Sequence, residues 1–141
     1  MLVRLMYASR AARTFGGEEL SVVLRQSTTN NPRLGVTGVL CFSGEIFLQV
    51  LEGGRSQVSA LYNRIAQDPR HHDVVLLSYE EIDERSFAGW AMGQVNMARL
   101  NPALLLKYAE AAVLDPYAVS GKVSMALFNE LVATAAVVCP S

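Results

Sequence analysis

The 141-residue chain predicts an α/β fold of the α+β kind, ferredoxin-like, in the order β-α-β-β-α-β-β. Three observations predict it. Short alternating apolar runs recur with the period of a strand. Two stretches carry apolar residues at helical spacing. Ser43-Gly44 joins two strand runs directly, as a hairpin does. This order packs two helices on one face of a five-stranded mixed sheet and leaves the C-terminal helices to cover the other.

The first strand spans Leu2 to Ser9, with Val3, Leu5 and Tyr7 on one face and Arg4, Met6 and Ala8 on the other. Gly16-Gly17 opens a helix from about Glu18 to Thr28, its Leu20, Val23, Leu24 and Ser27 at helical spacing. Asn30-Asn31-Pro32 is expected to end it, because Pro disfavours helical geometry in the residue before. Gly35 to Phe42 and Glu45 to Leu51 form the hairpin. A second helix runs from Ser56 to Gln67, with Val58, Leu61, Tyr62 and Ile65 along one stripe, and Asp68-Pro69 closes it. Val74 to Ile82 and Trp90 to Met97 are the last two strands.

Asn101-Pro102 supplies an N-cap followed by Pro at the first helical position. That helix carries Leu104, Leu105, Tyr108 and Ala112 until Asp115-Pro116 breaks it. Ser120 caps a final helix running to about Val138, and the excess apolar surface of these C-terminal helices suggests a subunit contact. Two units result, 1–97 and a helical extension over 98–141.

Half of the chain is apolar and its net charge is -1, so no strong field draws nucleic acid or an anionic membrane. Arg4 interrupts the N-terminal apolar run, unlike a secretory signal. Val123 to Val138 is short for a membrane span and contains Asn129, Glu130 and Thr134. Cys41 and Cys139 follow no metal or redox spacing, and Cys41 reads as a small core residue. The expectation is a cytoplasmic protein with no metal site.

Gln49 breaks this pattern. Alternation places it between Phe47 and Leu51 on one strand face, with Ile46, Leu48 and Val50 on the other. Both faces read as buried. A buried primary amide needs partners for two donors and a carbonyl oxygen. Tyr7 and Asn31 are the candidates.

Tyr7-Ala8-Ser9, Asn30-Asn31, Gly35-Val36-Thr37-Gly38, Phe47-Leu48-Gln49-Val50-Leu51-Glu52-Gly53, Asp68-Pro69-Arg70-His71 and Trp90-Ala91-Met92 together resemble the BLUF domain, the blue-light sensor using flavin. The resemblance runs from Leu2 to about Met97. It implies a noncovalent flavin, FAD or FMN, between the two amphipathic helices, with Val23, Leu24 and Ile65 flanking the ring. Asn31 would bond the C4=O and N3–H edge, and Asn30 and Arg64 would lie near the C2 carbonyl. Asp68, Arg70 and His71 would meet the ring edge, ribityl chain or phosphate, with Ser9 and Phe47 as pocket neighbours. The plainer alternatives are helix-ending chemistry for Asn30-Asn31, an exposed Arg64–Asp68 pair worth little, and a loop at His71-His72.

The resemblance also implies the photochemistry. Tyr7, a phenol of ordinary pKa about 10, would give an electron and a proton to the light-excited flavin. Gln49 would bridge the two, since an amide both donates and accepts. After the electron returns, Gln49 would remain rotated or tautomerised and donate more strongly to flavin C4=O, shifting absorption to the red. One neutral hydrogen bond is worth about 1 kcal/mol net, so output needs a bistable element downstream. Trp90 and Met92, expected on one face of the fifth strand, are that element, with one or the other near Gln49.

The chain therefore reads as a light-regulated interaction protein, not an enzyme. It would signal through its tail to a separate partner or through a change in oligomeric assembly. A flavin-dependent oxidoreductase and a light-inactive ferredoxin-like module are the competing classes. Against the first, Gly16-Gly17 and Gly53-Gly54 lack the spacing of a dinucleotide fingerprint.

Overall fold

The computed structural model describes residues 1–13, 15–96, 100–134 and 137–138. The first half comprises β1 (Leu2–Ala11), α1 (Gly17–Leu34), β2 (Thr37–Ser43), β3 (Ile46–Gly54) and α2 (Arg55–Ala66). β4 (His71–Ile82), β5 (Gly93–Val95), α3 (Pro102–Tyr108), α4 (Gly121–Ala133) and β6 (Val137–Val138) follow. The strands lie in the order β4-β1-β3-β2-β5-β6. β1 pairs antiparallel with both β3 and β4, β2 antiparallel with β3, and β5 parallel with β2. The five expected strands form a mixed sheet, and β6 adds a two-residue strip at its edge.

Strand alternation divides the core into two layers. Val3, Leu5, Tyr7, Leu40, Phe47 and Leu51 meet Leu24 of α1 and Val58 of α2. Met6, Ala8, Val39, Leu48 and Val50 meet Leu105 of α3 and Leu127, Phe128 and Leu131 of α4. The tail thus covers the face opposite the first two helices, and Cys41 is buried in that second layer.

Several boundaries differ from the sequence reading. Pro32 lies inside α1 and does not end it. Its missing N–H removes one bond in the final turn, but Val36 N–H still donates to Asn31 O at 2.9 Å. The stop is Gly35, at φ 69°, a left-handed conformation that glycine adopts without steric cost. Asn31 is therefore helical.

The strand expected over Trp90 to Met97 shrinks to Gly93–Val95, and Met97 lies outside the described residues. Trp90 N–H instead closes a turn onto Phe87 O at 3.2 Å. α3 ends at Tyr108, which leaves Ala112 outside it. α4 ends at Ala133 rather than near Val138, because Val137 and Val138 pair with the open edge of β5. Cys139 lies outside the described residues.

The caps behave as read. Asn101 Oδ1 accepts from Ala103 N–H, and Ser120 Oγ accepts from Val123 N–H. Gly121 lets α4 begin hard against β4, since a Cβ there would sit 2.2 Å from Leu77 O. Among the described residues no helix is long and apolar enough to cross a membrane.

Candidate functional site

The ladder between β1 and β3 places Tyr7 directly opposite Gln49. Opposed residues project to the same side of a sheet, here the side of α1 and α2. Both are 4% exposed. Tyr7 Oη donates to Gln49 Oε1, and Gln49 Nε2 donates to Met92 Sδ at 3.3 Å. The amide is thus held between a hydroxyl and a thioether, which accepts hydrogen bonds weakly. Burial pushes the Tyr7 phenol well above its ordinary range, with Tyr62 and Asp68 adding to the effect. The phenol keeps its proton and can donate it. The Tyr62 ring lies 5.6 Å away and the His71 ring 6.3 Å, edge-on.

Of the two partners expected for Gln49, Tyr7 is the one it meets. Asn31, 3% exposed in the last turn of α1, donates through Nδ2 to Ala91 O at 2.8 Å. Asn31 and Gln49 therefore grip consecutive residues of the segment entering β5. Trp90 and Met92 do not share a face, as the strand parity had implied. Met92 is buried in the layer of Tyr7 and Leu40. Trp90 packs on the opposite layer, its ring stacked on Phe87 at 6.4 Å. The cause is local: residues 90–92 turn, so period-2 alternation does not apply to them.

A cavity of about 440 Å³ lies above Tyr7 and Gln49, between α1 and α2. Phe47 also lines it, with Val23, Asn30 and Asn31 from α1 and Arg64 and Ile65 from α2. Asp68, Arg70 and His71 close the end beyond α2. Ser9, Leu24, Trp90 and Met92 lie outside the lining. Leu24 is core beneath α1, and Ser9 reaches the site through His71. Phe15, Gln26, Ser27, Leu40 and Leu61 line it unanticipated. Ser27 and Leu61 stood in the helical stripes. Phe15 gave no signal, since its place comes from edge contacts with Phe42 and Phe47 in the folded chain.

Asp68 and Arg70 pair at the cavity, which Arg33 and Arg64 also line. Arg70 Nε donates to Asp68 Oδ2 at 2.9 Å and its backbone N–H to Asp68 Oδ1 at 2.9 Å. Those bonds, the side-chain one foremost, pull the Asp68 carboxyl below its usual range. Arg64, by contrast, is exposed and forms no ion pair among the described residues, so the Arg64–Asp68 pair is not formed. His71 is fastened on both nitrogens. Ile65 O can only accept, so Nε2 carries the proton, and Nδ1 of a neutral ring accepts from Ser9 Oγ at 2.8 Å. β4 begins at His71, which is therefore not a loop residue.

These features fit a flavin. The cavity falls in the range of about 300–1,000 Å³ usual for small-ligand sites. Val23, Leu61 and Ile65 offer apolar walls for a flat ring, Asn30, Asn31 and Gln49 offer amides for its polar edge, and Arg64 lines the cavity as an exposed cation. Among the described residues no His, Cys, Asp and Glu cluster suits a metal ion.

Comparison with known proteins places the chain among blue-light sensors. The BLUF family model, described as sensors of blue-light using FAD, matches residues 2–93. The photoactivated adenylate cyclase subunit beta of Euglena longa is 39% identical over 92 residues, which are 64% of this chain and 11% of that protein. The photo-activated state of BlsA gives a TM-score of 0.82 at 30% identity, covering 93% of this chain and 94% of that one. The dark state of BlrB, a BLUF protein, gives 0.76 at 31% identity, covering 95% and 96%. The chain spans about a tenth of the length of the photoactivated adenylate cyclase subunits it matches.

Proposed function

This chain belongs to the BLUF family of blue-light sensors using FAD, and on that premise we propose that it is a photoreceptor switched through Tyr7, Gln49 and Met92. The observation that carries the reading is the buried amide of Gln49, bonded to Tyr7 Oη on one side and Met92 Sδ on the other. Flavin, when bound, supplies the blue absorption and an excited-state oxidant.

Tyr7 would give an electron and a proton to the light-excited flavin and take both back as the excitation decays, and its burial keeps the phenol protonated beforehand. Gln49 passes the proton and then reorients. A reoriented amide no longer offers Nε2 to Met92, so the segment carrying Ala91 and Met92 loses its tie at Met92 and keeps that of Asn31 on Ala91. Asn31, with Asn30 and Arg64 at the rim, orients the cofactor, while Val23 and Ile65 exclude water from it. Asp68, Arg70, His71 and Ser9 fix the end of α2 against β1 and β4. The sensor unit is 1–97. The extension over 98–141 passes the signal to a separate protein or to a change of oligomeric assembly.

A flavin-dependent oxidoreductase is the rival class. The test is to illuminate the flavin-loaded chain while supplying a reduced nicotinamide. A reversible red shift without consumption of the nicotinamide supports the sensor. Steady consumption, with no reversible shift, identifies an enzyme.

A further inference from the structure

We propose that Glu52 is a positioning residue for the light signal: it anchors residues 86 and 87, so that release of Met92 displaces Trp90. The inference rests on the photoreceptor reading above and extends it to a residue outside the cavity.

Glu52 is 0% exposed and lies three residues beyond Gln49 on β3. Parity turns it to the opposite face, with Leu48 and Val50. A buried carboxylate is costly unless paired and hydrogen-bonded. Glu52 is both. Arg4 grips Oε2 with Nε at 2.8 Å and Nη2 at 2.7 Å. The backbone N–H groups of Ser86 and Phe87 donate to Oε2 at 3.0 Å and Oε1 at 2.7 Å. Arg4 reinforces the grip by donating to Ser86 Oγ at 2.7 Å.

Two consecutive backbone amides held on one carboxylate fix the path of the chain there. From that point the segment is tied at short intervals. Phe87 O accepts from Trp90 N–H, Trp90 O from Gly38 N–H at 3.1 Å, and Ala91 O from Asn31. Met92 Sδ, at the far end, accepts from Gln49. The Phe87 side chain is buried among Leu105, Leu127 and Phe128 of the tail.

One end of this segment therefore hangs on the photoactive amide and the other on Glu52. None of the Glu52 bonds involves Gln49, so turning the amide frees the Met92 end alone. With the Phe87 end fixed, movement that starts at Met92 falls on the short stretch from Trp90 to Met92, whose remaining ties are the single bonds of Trp90 O to Gly38 and Ala91 O to Asn31. Without the anchor, slack is taken up at 84–87 and Trp90 stays where it is.

Trp90 is the only tryptophan of the chain, so fluorotryptophan labelling gives a single fluorine resonance for it. The experiment compares that resonance in the dark and under blue light in the flavin-loaded full chain. The wild type, Glu52→Gln and Arg4→Lys are compared. Glu52→Gln keeps the shape but turns an NH₂ toward N–H donors. Arg4→Lys keeps the charge on the carboxylate but loses the fork.

The expected result is a reversible shift of the resonance in the wild type. In Glu52→Gln most of that shift is lost while the flavin red shift is retained, and Arg4→Lys is intermediate. A wild-type resonance shift in both variants overturns the proposal. Parallel loss of the flavin and Trp90 signals also overturns it, since Glu52 would then merely support the fold. If Glu52→Gln does not fold, Arg4→Lys decides by the same criteria. A wild type with a flavin shift but a motionless Trp90 defeats this inference alone. A wild type with no flavin shift defeats the photoreceptor reading beneath it.

Discussion

Gln49 donates its Nε2 proton to the sulfur of Met92 at 3.3 Å. A thioether is a weak acceptor, so this is the contact that yields when a better acceptor competes for the amide. On its other side Gln49 accepts from Tyr7. An amide held firmly at one end and weakly at the other is biased toward one orientation and remains able to leave it.

Tyr7→Phe deletes the electron and proton donor and leaves the ring in place. The variant is expected to bind flavin and to show no red-shifted state under blue light. A normal photocycle, read by absorption, would remove Tyr7 from the donor role.

Gln49→Leu removes both hydrogen bonds at nearly constant volume. Flavin binding is expected to persist, with no spectral response to blue light. The Tyr7 hydroxyl loses its partner, which costs about 1–3 kcal/mol for a buried polar group. Denaturant unfolding of the two proteins measures that difference.

Much of this site is legible in the sequence, because Tyr7, Gln49 and Phe47 sit on regular strands whose parity fixes their face. The misreadings occur where regular periodicity stops. Pro32 was expected to end α1, but one lost bond in the last turn is tolerated when Gly35 can supply the stop. Trp90 and Met92 were expected side by side, but turns at 87–92 send them to opposite layers. Nothing local in the sequence marks Glu52 as a buried carboxylate. Its burial comes from Arg4 and the amides of residues 86 and 87, which are distant in sequence. Phe15 joins the pocket through ring contacts that no local pattern encodes.

Met92→Ala tests the relay. Met92 is buried, so truncation is expected to cost about 2–5 kcal/mol. The red shift survives, because Tyr7 and Gln49 remain, while dark recovery changes its rate. Unchanged recovery kinetics in a correctly folded variant would exclude Met92 from the relay.

Asp68 carries a pH dependence of defined sign. Its folded carboxyl lies below the ordinary value because Arg70 bonds to it. The stabilisation is therefore complete above the unfolded value of about 4 and is lost as pH falls through the lower folded value. Both groups are partly exposed, so solvent screening keeps the effect small. Thermal midpoints measured on descending from neutral to acid pH are expected to fall more steeply in the wild type than in Asp68→Asn. Parallel curves would show that the pair contributes nothing.

The most direct test of the central claim is an absorption spectrum of the flavin-loaded wild type taken in darkness, during blue light and after return to darkness. The account predicts a flavin spectrum that moves slightly to the red and reverts in the dark. A flavin band that only bleaches, or that does not respond to light at all, would contradict it.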